Sequence, residues 1–252
     1  MSLKYFGKSV KGTRSSENED FFLLPEDNEQ LGVNVDLSRG SLFILCDGMG
    51  GAASGEVVSN LCANWFLKEF YSETDSSDPA SWLLEEIKSL NNRLYQLSTE
   101  HKQYRGMGTT LVNLLIRENK AWVNNVGDSR LYRFSNGQLT QVTEDQSPVW
   151  RLYREGAITK DEILTNKRKN EISQAIASSP VVEPNSYQFE LSGECIFLMC
   201  SDGLTDVATD SQIEQAFQAQ QSLEGISEGL FKLARDGKTE DDTTIILVSN
   251  CL

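Results

Sequence analysis

The chain has 252 residues, enough to bury a core without disulfides or structural metal, as one large domain or two small ones. Its formal net charge of −14 argues against nucleic-acid binding, which rests on phosphate-neutralising Lys and Arg. No apolar run approaches the ~18 residues of a membrane helix, and the N-terminus (MSLKYFGKSVKGTRSS) lacks an apolar signal core, so a soluble cytoplasmic protein without membrane contacts is expected.

In chain order, residues 14–20 (RSSENED) come first. The acids there could add ligands, and Arg14 could bind an anion through its fork of donors; an N-terminal loop is the bland alternative. Residues 41–46 (SLFILC) are continuously apolar and read as a strand buried on both faces. Asp47-Gly48-Met49-Gly50-Gly51 follows directly, where the chain is expected to leave the sheet. Its glycines let the backbone approach a ligand and offer a carbonyl to a cation; a plain glycine turn is the alternative. Glu56 and Ser59 then enter a helix, on which Val58, Leu61, Cys62 and Trp65 share one face. Residues 72–78 (SETDSSD) read as a loop, with Pro79 opening a second helix that carries Leu83, Ile87, Leu90, Leu94 and Leu97. His101, the sole histidine, falls in a polar stretch beyond it and is expected to be exposed.

Residues 110–116, 121–126, 131–134, 187–191, 196–200 and 244–248 are strand candidates, and Asn136-Gly137 signals a hairpin. Gly127-Asp128-Ser129-Arg130 reads as a hairpin turn carrying a carboxylate. Thr159 with Glu162, and Ser211 with Glu214, have capping-box spacing. Ser201-Asp202-Gly203-Leu204-Thr205-Asp206 repeats the Asp-Gly placement after the second buried strand, 196–200. Glu240-Asp241-Asp242 abuts the last strand, where the repulsion of three adjacent carboxylates would be relieved by a divalent cation. The five cysteines (Cys46, Cys62, Cys195, Cys200, Cys251) form no C-x-x-C pair and have no neighbouring His, so buried thiols are expected at Cys46, Cys195 and Cys200 rather than zinc or disulfides.

Many strands with few intervening helices point to an antiparallel α+β layered fold. No repeat or low-complexity tract divides the chain. Carboxylates gathered at strand ends, without a His or Cys set, favour Mg²⁺ or Mn²⁺, and two such ions suit phosphate-ester hydrolysis. No Gly-x-x-x-x-Gly-Lys loop is present, which disfavours a P-loop nucleotidase.

Asn18-Glu19-Asp20, Asp47-Gly-Met-Gly-Gly, Gly108-Thr109-Thr110, Gly127-Asp-Ser-Arg, Ser201-Asp-Gly-Leu-Thr-Asp and Asp241-Asp-x-Thr244 occur in an order that resembles the type-2C, metal-dependent Ser/Thr protein phosphatases, in their bacterial form. The resemblance runs from about Lys11 to Val248. It implies a central sandwich of two antiparallel sheets flanked by helices, a single domain over residues 1–252, and a variable flap at about 146–180 that chooses the substrate. It also implies that Asp47 bridges two Mn²⁺ or Mg²⁺ ions and that the Gly48 carbonyl binds one of them. Asp202 and Asp241 complete the core, Asp20 acts directly or through water, and Asp128 joins Asp202 at a third ion. A metal-bridging hydroxide would attack phosphorus directly, on phosphorylated Ser/Thr proteins supplied by a cognate kinase, in a monomeric enzyme.

Four positions depart from the family pattern. Arg14 stands one residue farther from the Asn-Glu-Asp acids than the family's phosphate-binding Arg, and Asp242 replaces a common Asn, which would make the site more acidic. Gln146 and Met49 stand where His is found in some members, and His101 matches no motif. Two other functions compete with the protein phosphatase: a non-catalytic binding module, which would have lost metal carboxylates that are present here, and a hydrolase of small phosphoesters.

Overall fold

The computed structural model describes residues 3–14, 16–29, 37–50, 54–72 and 78–250. In chain order these form β1 (Lys4–Val10), β2 (Asp20–Leu23), β3 (Ser41–Met49), α1 (Ser54–Ser72), α2 (Pro79–Glu100), β4 (Gly108–Thr109), β5 (Leu111–Arg117), β6 (Lys120–Val126), β7 (Arg130–Ser135) and β8 (Gln138–Gln141). Then come α3 (Pro148–Arg154), α4 (Lys160–Ile163), β9 (Asn185–Glu190), β10 (Ile196–Cys200), α5 (Asp202–Thr205), α6 (Asp210–Ala219), α7 (Leu223–Asp236) and β11 (Thr243–Ser249).

The strands make two antiparallel sheets. One runs β1-β11-β10-β7-β8, and the other β2-β3-β5-β6-β9 with β4 paired to β3. Side chains alternate faces along a strand, and that alternation builds the layers. On β3, Leu42, Ile44 and Cys46 face α1 and α2, whereas Phe43 and Leu45 enter the space between the sheets. On β10 and β11, Phe197, Met199, Ile246 and Val248 point into that same space, and Leu198, Cys200, Ile245 and Leu247 meet α6 and α7. Each central strand therefore buries both faces, which is why SLFILC and IFLMC are apolar throughout. The result is the expected α+β sandwich.

The local signals behave as read at most positions. Asn136 and Gly137 both have positive φ (53° and 78°) in the β7–β8 turn. Asp78 caps α2 and accepts from the Ala80 amide, with Pro79 in its first turn, and the Thr159–Glu162 box starts α4. Cys46, Cys62, Cys195 and Cys200 are buried free thiols, and Cys251 lies outside the described residues.

Three expectations are corrected. Asp47, Gly48 and Met49 do not leave the sheet: they continue β3, because Gly48 and Met49 find new partners in Thr109 and Gly108 of β4. Gly127 to Arg130 is not a hairpin turn, since β6 and β7 belong to different sheets and this segment carries the chain across. The capping box of α6 is Thr209 with Gln212 rather than Ser211 with Glu214. The strand β1 and the helices α3 and α7 carry no expectation from the sequence.

Candidate metal and phosphate site

The open end of the inter-sheet space gathers the predicted acids. Asp20, the first residue of β2, pairs directly with Asp47 on β3. Directly opposed residues share a face, and by alternation this is the face of Phe43 and Leu45, toward the other sheet. From that second sheet come Asp202, just past β10, and Asp241, just before β11. Asp128 sits on the crossing between sheets. The sandwich thus brings five carboxylates from five separate stretches of sequence to one end.

Their backbone is firmly held. The Asp47 amide donates to Thr110 Oγ1 (2.9 Å), and the Asp47 carbonyl accepts from the Thr110 amide (2.8 Å) and from Thr109 Oγ1 (2.9 Å). The Gly48 amide donates to the Glu19 carbonyl (3.0 Å), which also accepts from Ser59 Oγ (2.6 Å). A Cβ on Gly48 would collide with the carbonyls of Gly55 and Glu19, so only glycine lets α1 and the β2 entry close on the strand. These threonines and Ser59 were not legible as site residues. The one hint was Gly108-Thr109-Thr110, whose role is to fasten Asp47 rather than to touch a ligand.

The side chains divide by what they touch. Asp20 is buried, and its Oδ2 accepts from Ser201 Oγ (2.7 Å) and Thr244 Oγ1 (2.7 Å), both from the opposite sheet. Burial pushes its pKa up to about 7 despite those hydroxyls, with Asp242 and Asp241 adding repulsion. Desolvation also drives Asp47 and Asp202 well above the ordinary carboxylate range. For Asp47 the next cause is Asp20, then Asp202, Asp128 and Asp241; for Asp202 it is Asp128, then Asp206, Asp241 and Asp20. Asp128 rises to about 7 through desolvation and then the charges of Asp145 and Asp206, against the relief of Arg130. Asp202 Oδ1 is cut off from solvent with no hydrogen-bond partner.

Arg14 is bound to Asp241: its Nη1 donates to Asp241 Oδ2. That guanidinium partly offsets the desolvation that raises Asp241. Beyond the effect of burial, Asp242 adds its charge to the site, raising both Asp20 and Asp241, and it also has a structural part. Its two oxygens accept from the Gly12 amide (2.7 Å) and the Glu19 amide (2.7 Å), so it ties the N-terminal segment to β11. Its relief is therefore two amides, and that of Asp241 is an arginine. Gln146 is likewise structural. It accepts from the Gly127 amide (3.0 Å) and donates to the Glu183 carbonyl (2.8 Å). His101 is exposed at the C-cap of α2, edge-on to Tyr104.

Among the described residues, no three Asp, Glu, His or Cys side chains already converge closely enough to hold an ion. The donor set nevertheless fits a hard divalent cation: all oxygen, several like charges sharing a space, and one orphaned carboxylate oxygen on Asp202.

A family model described as protein phosphatase 2C matches residues 26–234, most of the chain. The chain belongs to the protein phosphatase 2C family. It is a phosphatase, and the matched span holds Asp47, Gly48, Asp128 and Asp202 while leaving Arg14, Asp20 and Asp241 outside. The phosphatase is 31% identical over 231 residues to the serine/threonine phosphatase stp of Listeria welshimeri, covering 90% of each chain. The crystal structure of the serine/threonine phosphatase Stp1 from Staphylococcus aureus matches it with a TM-score of 0.89 at 30% identity, over 100% of this chain and 96% of that one. The catalytic domain of the serine/threonine protein phosphatase PstP, in complex with two manganese ions, matches with a TM-score of 0.82 at 30% identity, over 98% and 97%.

Proposed function

We propose that this chain hydrolyses phosphoserine and phosphothreonine in proteins, using two Mn²⁺ or Mg²⁺ ions held by Asp47, Asp202, Asp241 and the Gly48 carbonyl. Asp20 braces Asp47 from the opposing strand and contributes directly or through water, and Asp128 with Asp202 offers a place for a third ion. The observation that carries this reading is the pairing of Asp20 with Asp47, with the charge of Asp202 bearing on Asp47 and one Asp202 oxygen unpartnered. When bound, divalent cations activate water and neutralise phosphate charge.

The chain's own residues do the rest. Thr109 and Thr110 fix the Asp47 backbone at both its amide and its carbonyl, which preorganises the position from which the carboxylate projects. Arg14 supplies a guanidinium for the phosphate once it parts from Asp241, and that exchange explains why it need not sit at the family's usual spacing. With His101 away from the acids, leaving-group protonation falls to water or a carboxylic acid. The proposal takes residues 1–252 as one domain, with residues 146–180 as the flap that chooses the substrate. A Ser/Thr kinase acts opposite it, and the enzyme works as a cytoplasmic monomer; no described helix is long and apolar enough to cross a membrane.

The test is hydrolysis of a phosphothreonine peptide with Mn²⁺ or Mg²⁺. Turnover should vanish with EDTA and return with metal. Folded, metal-supplied protein without turnover on phosphopeptides rejects the reading, and a higher kcat/KM on small phosphoesters than on phosphoproteins would redirect it to metabolites.

A further inference from the structure

Six side chains beside the acids close a ring of hydrogen bonds. Arg130 Nε and Nη2 donate to the Asp145 carboxylate (2.9 and 2.6 Å), and Arg130 Nη1 donates to the Tyr132 hydroxyl (3.0 Å). That hydroxyl donates in turn to Asp210 Oδ1 (3.0 Å). Lys160 Nζ donates to Asp210 Oδ2 and to Gln141 Oε1 (2.9 Å), and Gln141 Nε2 donates to Asp145 Oδ1 (2.8 Å), which completes the circuit. Two cations and two carboxylates cancel in charge, as they must where Arg130, Tyr132 and Asp145 are buried.

The members come from separate elements. Arg130 and Tyr132 lie on β7, Gln141 ends β8, Asp210 opens α6, and Asp145 stands in the segment leading into α3. Lys160, the first residue of α4, is the single member drawn from residues 146–180. Trp150 of α3 reinforces it, because its ring lies against both Arg130 and Lys160. On the inner side, Arg130 and Asp145 share the lining of a cavity of about 10 Å³ with Asp128 and Asp202. That is room for about one water molecule, so the ring is a wall of the carboxylate site. It therefore joins α3 and α4 on one side to Asp128 and Asp202 on the other.

We propose that Lys160 and Tyr132 are positioning residues, which hold α3 and α4 seated beside the acids in the arrangement that accepts a phosphopeptide. It rests on the reading of residues 146–180 as the segment that chooses the substrate, and it names what fixes that segment. Within the ring, Lys160 alone crosses from the segment to α6 and β8, and the single hydroxyl of Tyr132 joins Arg130 to Asp210. Loss of either opens the ring and removes none of the five carboxylates.

The experiment compares wild type, Lys160→Met, Tyr132→Phe, the double variant and Lys160→Arg. The substrates are a phosphothreonine peptide and p-nitrophenyl phosphate, which has no flanking residues to be chosen. Each loss-of-bond variant should raise amide exchange in residues 148–163, read by mass spectrometry. Each should also lower kcat/KM for the peptide about 5- to 10-fold through KM, the result of a seated population falling to about a fifth or a tenth. Turnover of the small ester should be unchanged. The double variant should add little to either single one, because both break the same ring at Asp210. Lys160→Arg keeps the charge and should keep most of the peptide preference. Unchanged exchange in residues 148–163, or an equal loss on peptide and small ester, overturns this proposal alone. A wild type that hydrolyses neither substrate overturns the phosphatase reading and this proposal together.

Discussion

Asp47 and Asp202 are unfavourable to fold around when no cation is present, because desolvation and neighbouring carboxylates both oppose their charge. Asp47→Asn and Asp202→Asn should therefore cut metal-supported activity by at least ~100-fold while the metal-free protein keeps or gains melting temperature. Paired activity assays and thermal scans in EDTA check this; an Asp47→Asn protein that fails to fold would make Asp47 structural. Asp242 predicts the converse. Asn offers one oxygen where two amides now bind, and its own NH₂ would face an N–H, so Asp242→Asn should cost about 1–3 kcal/mol of stability with kcat little changed in the folded fraction. Chemical denaturation read beside turnover separates the two effects. Asp47, Asp202 and Asp241 were legible because each abuts a strand, two of them unbroken apolar runs. The structural part of Asp242 is not legible in the sequence because its amide partners, Gly12 and Glu19, lie 230 and 223 residues away.

At the level of elements, the α3–α4 segment is pinned rather than free. Lys160 reaches Asp210 and Gln141 Oε1 (2.9 Å), and Lys169 reaches the Asp206 carboxylate (2.8 Å) and carbonyl (3.0 Å). The Trp150 ring lies under both Arg130 (5.6 Å) and Lys160 (5.4 Å), while Arg130 forks onto Asp145. Lys169→Ala removes the tie nearest Asp202. Amide exchange in residues 164–176 should rise with little change in global stability, since a pair whose side chains remain 26% and 22% exposed contributes about 1 kcal/mol or less. Exchange mass spectrometry that finds no change there would make Lys169 a bystander. The elements that escaped the sequence have physical reasons. β1 (KYFGKSV) is an edge strand whose Lys4, Gly7 and Lys8 dilute the apolar alternation, as edges require. In α7, Gly225 and Gly229 interrupt a face that Ile226, Leu230, Phe231 and Ala234 nonetheless bury. Gly127 to Arg130 looked like a hairpin because two strand patterns flank a four-residue turn, and local sequence does not record which sheet each strand joins.

For the molecule as a whole, the acid end couples stability to pH. The folded-state pKa values of Asp20 and Asp128 are raised to about 7, and those of Asp47 and Asp202 stand well above normal. The native state therefore retains protons that the unfolded chain releases near pH ~4. Proton binding favours the native state, so metal-free stability is fully present below pH ~4 and is lost as pH rises through about 7. In EDTA the melting temperature should fall between pH 5.5 and 7.5, and Asp20→Asn should flatten that slope. Mn²⁺ should restore stability at the upper pH with release of protons. A slope identical in variant and wild type would remove Asp20 from the coupling.

The clamp on Asp20 has one more consequence, in time rather than in space. Asp20 and the Thr244 hydroxyl that binds it are 224 residues apart, so Asp20 is made long before Thr244, Asp241 and Asp242, which lie on or beside the strand between β1 and β10. A nascent chain cannot complete this acid end until β11 has left the ribosome. Domains generally fold as units, so a chain ending at residue 240 should neither close its first sheet nor dephosphorylate a phosphopeptide.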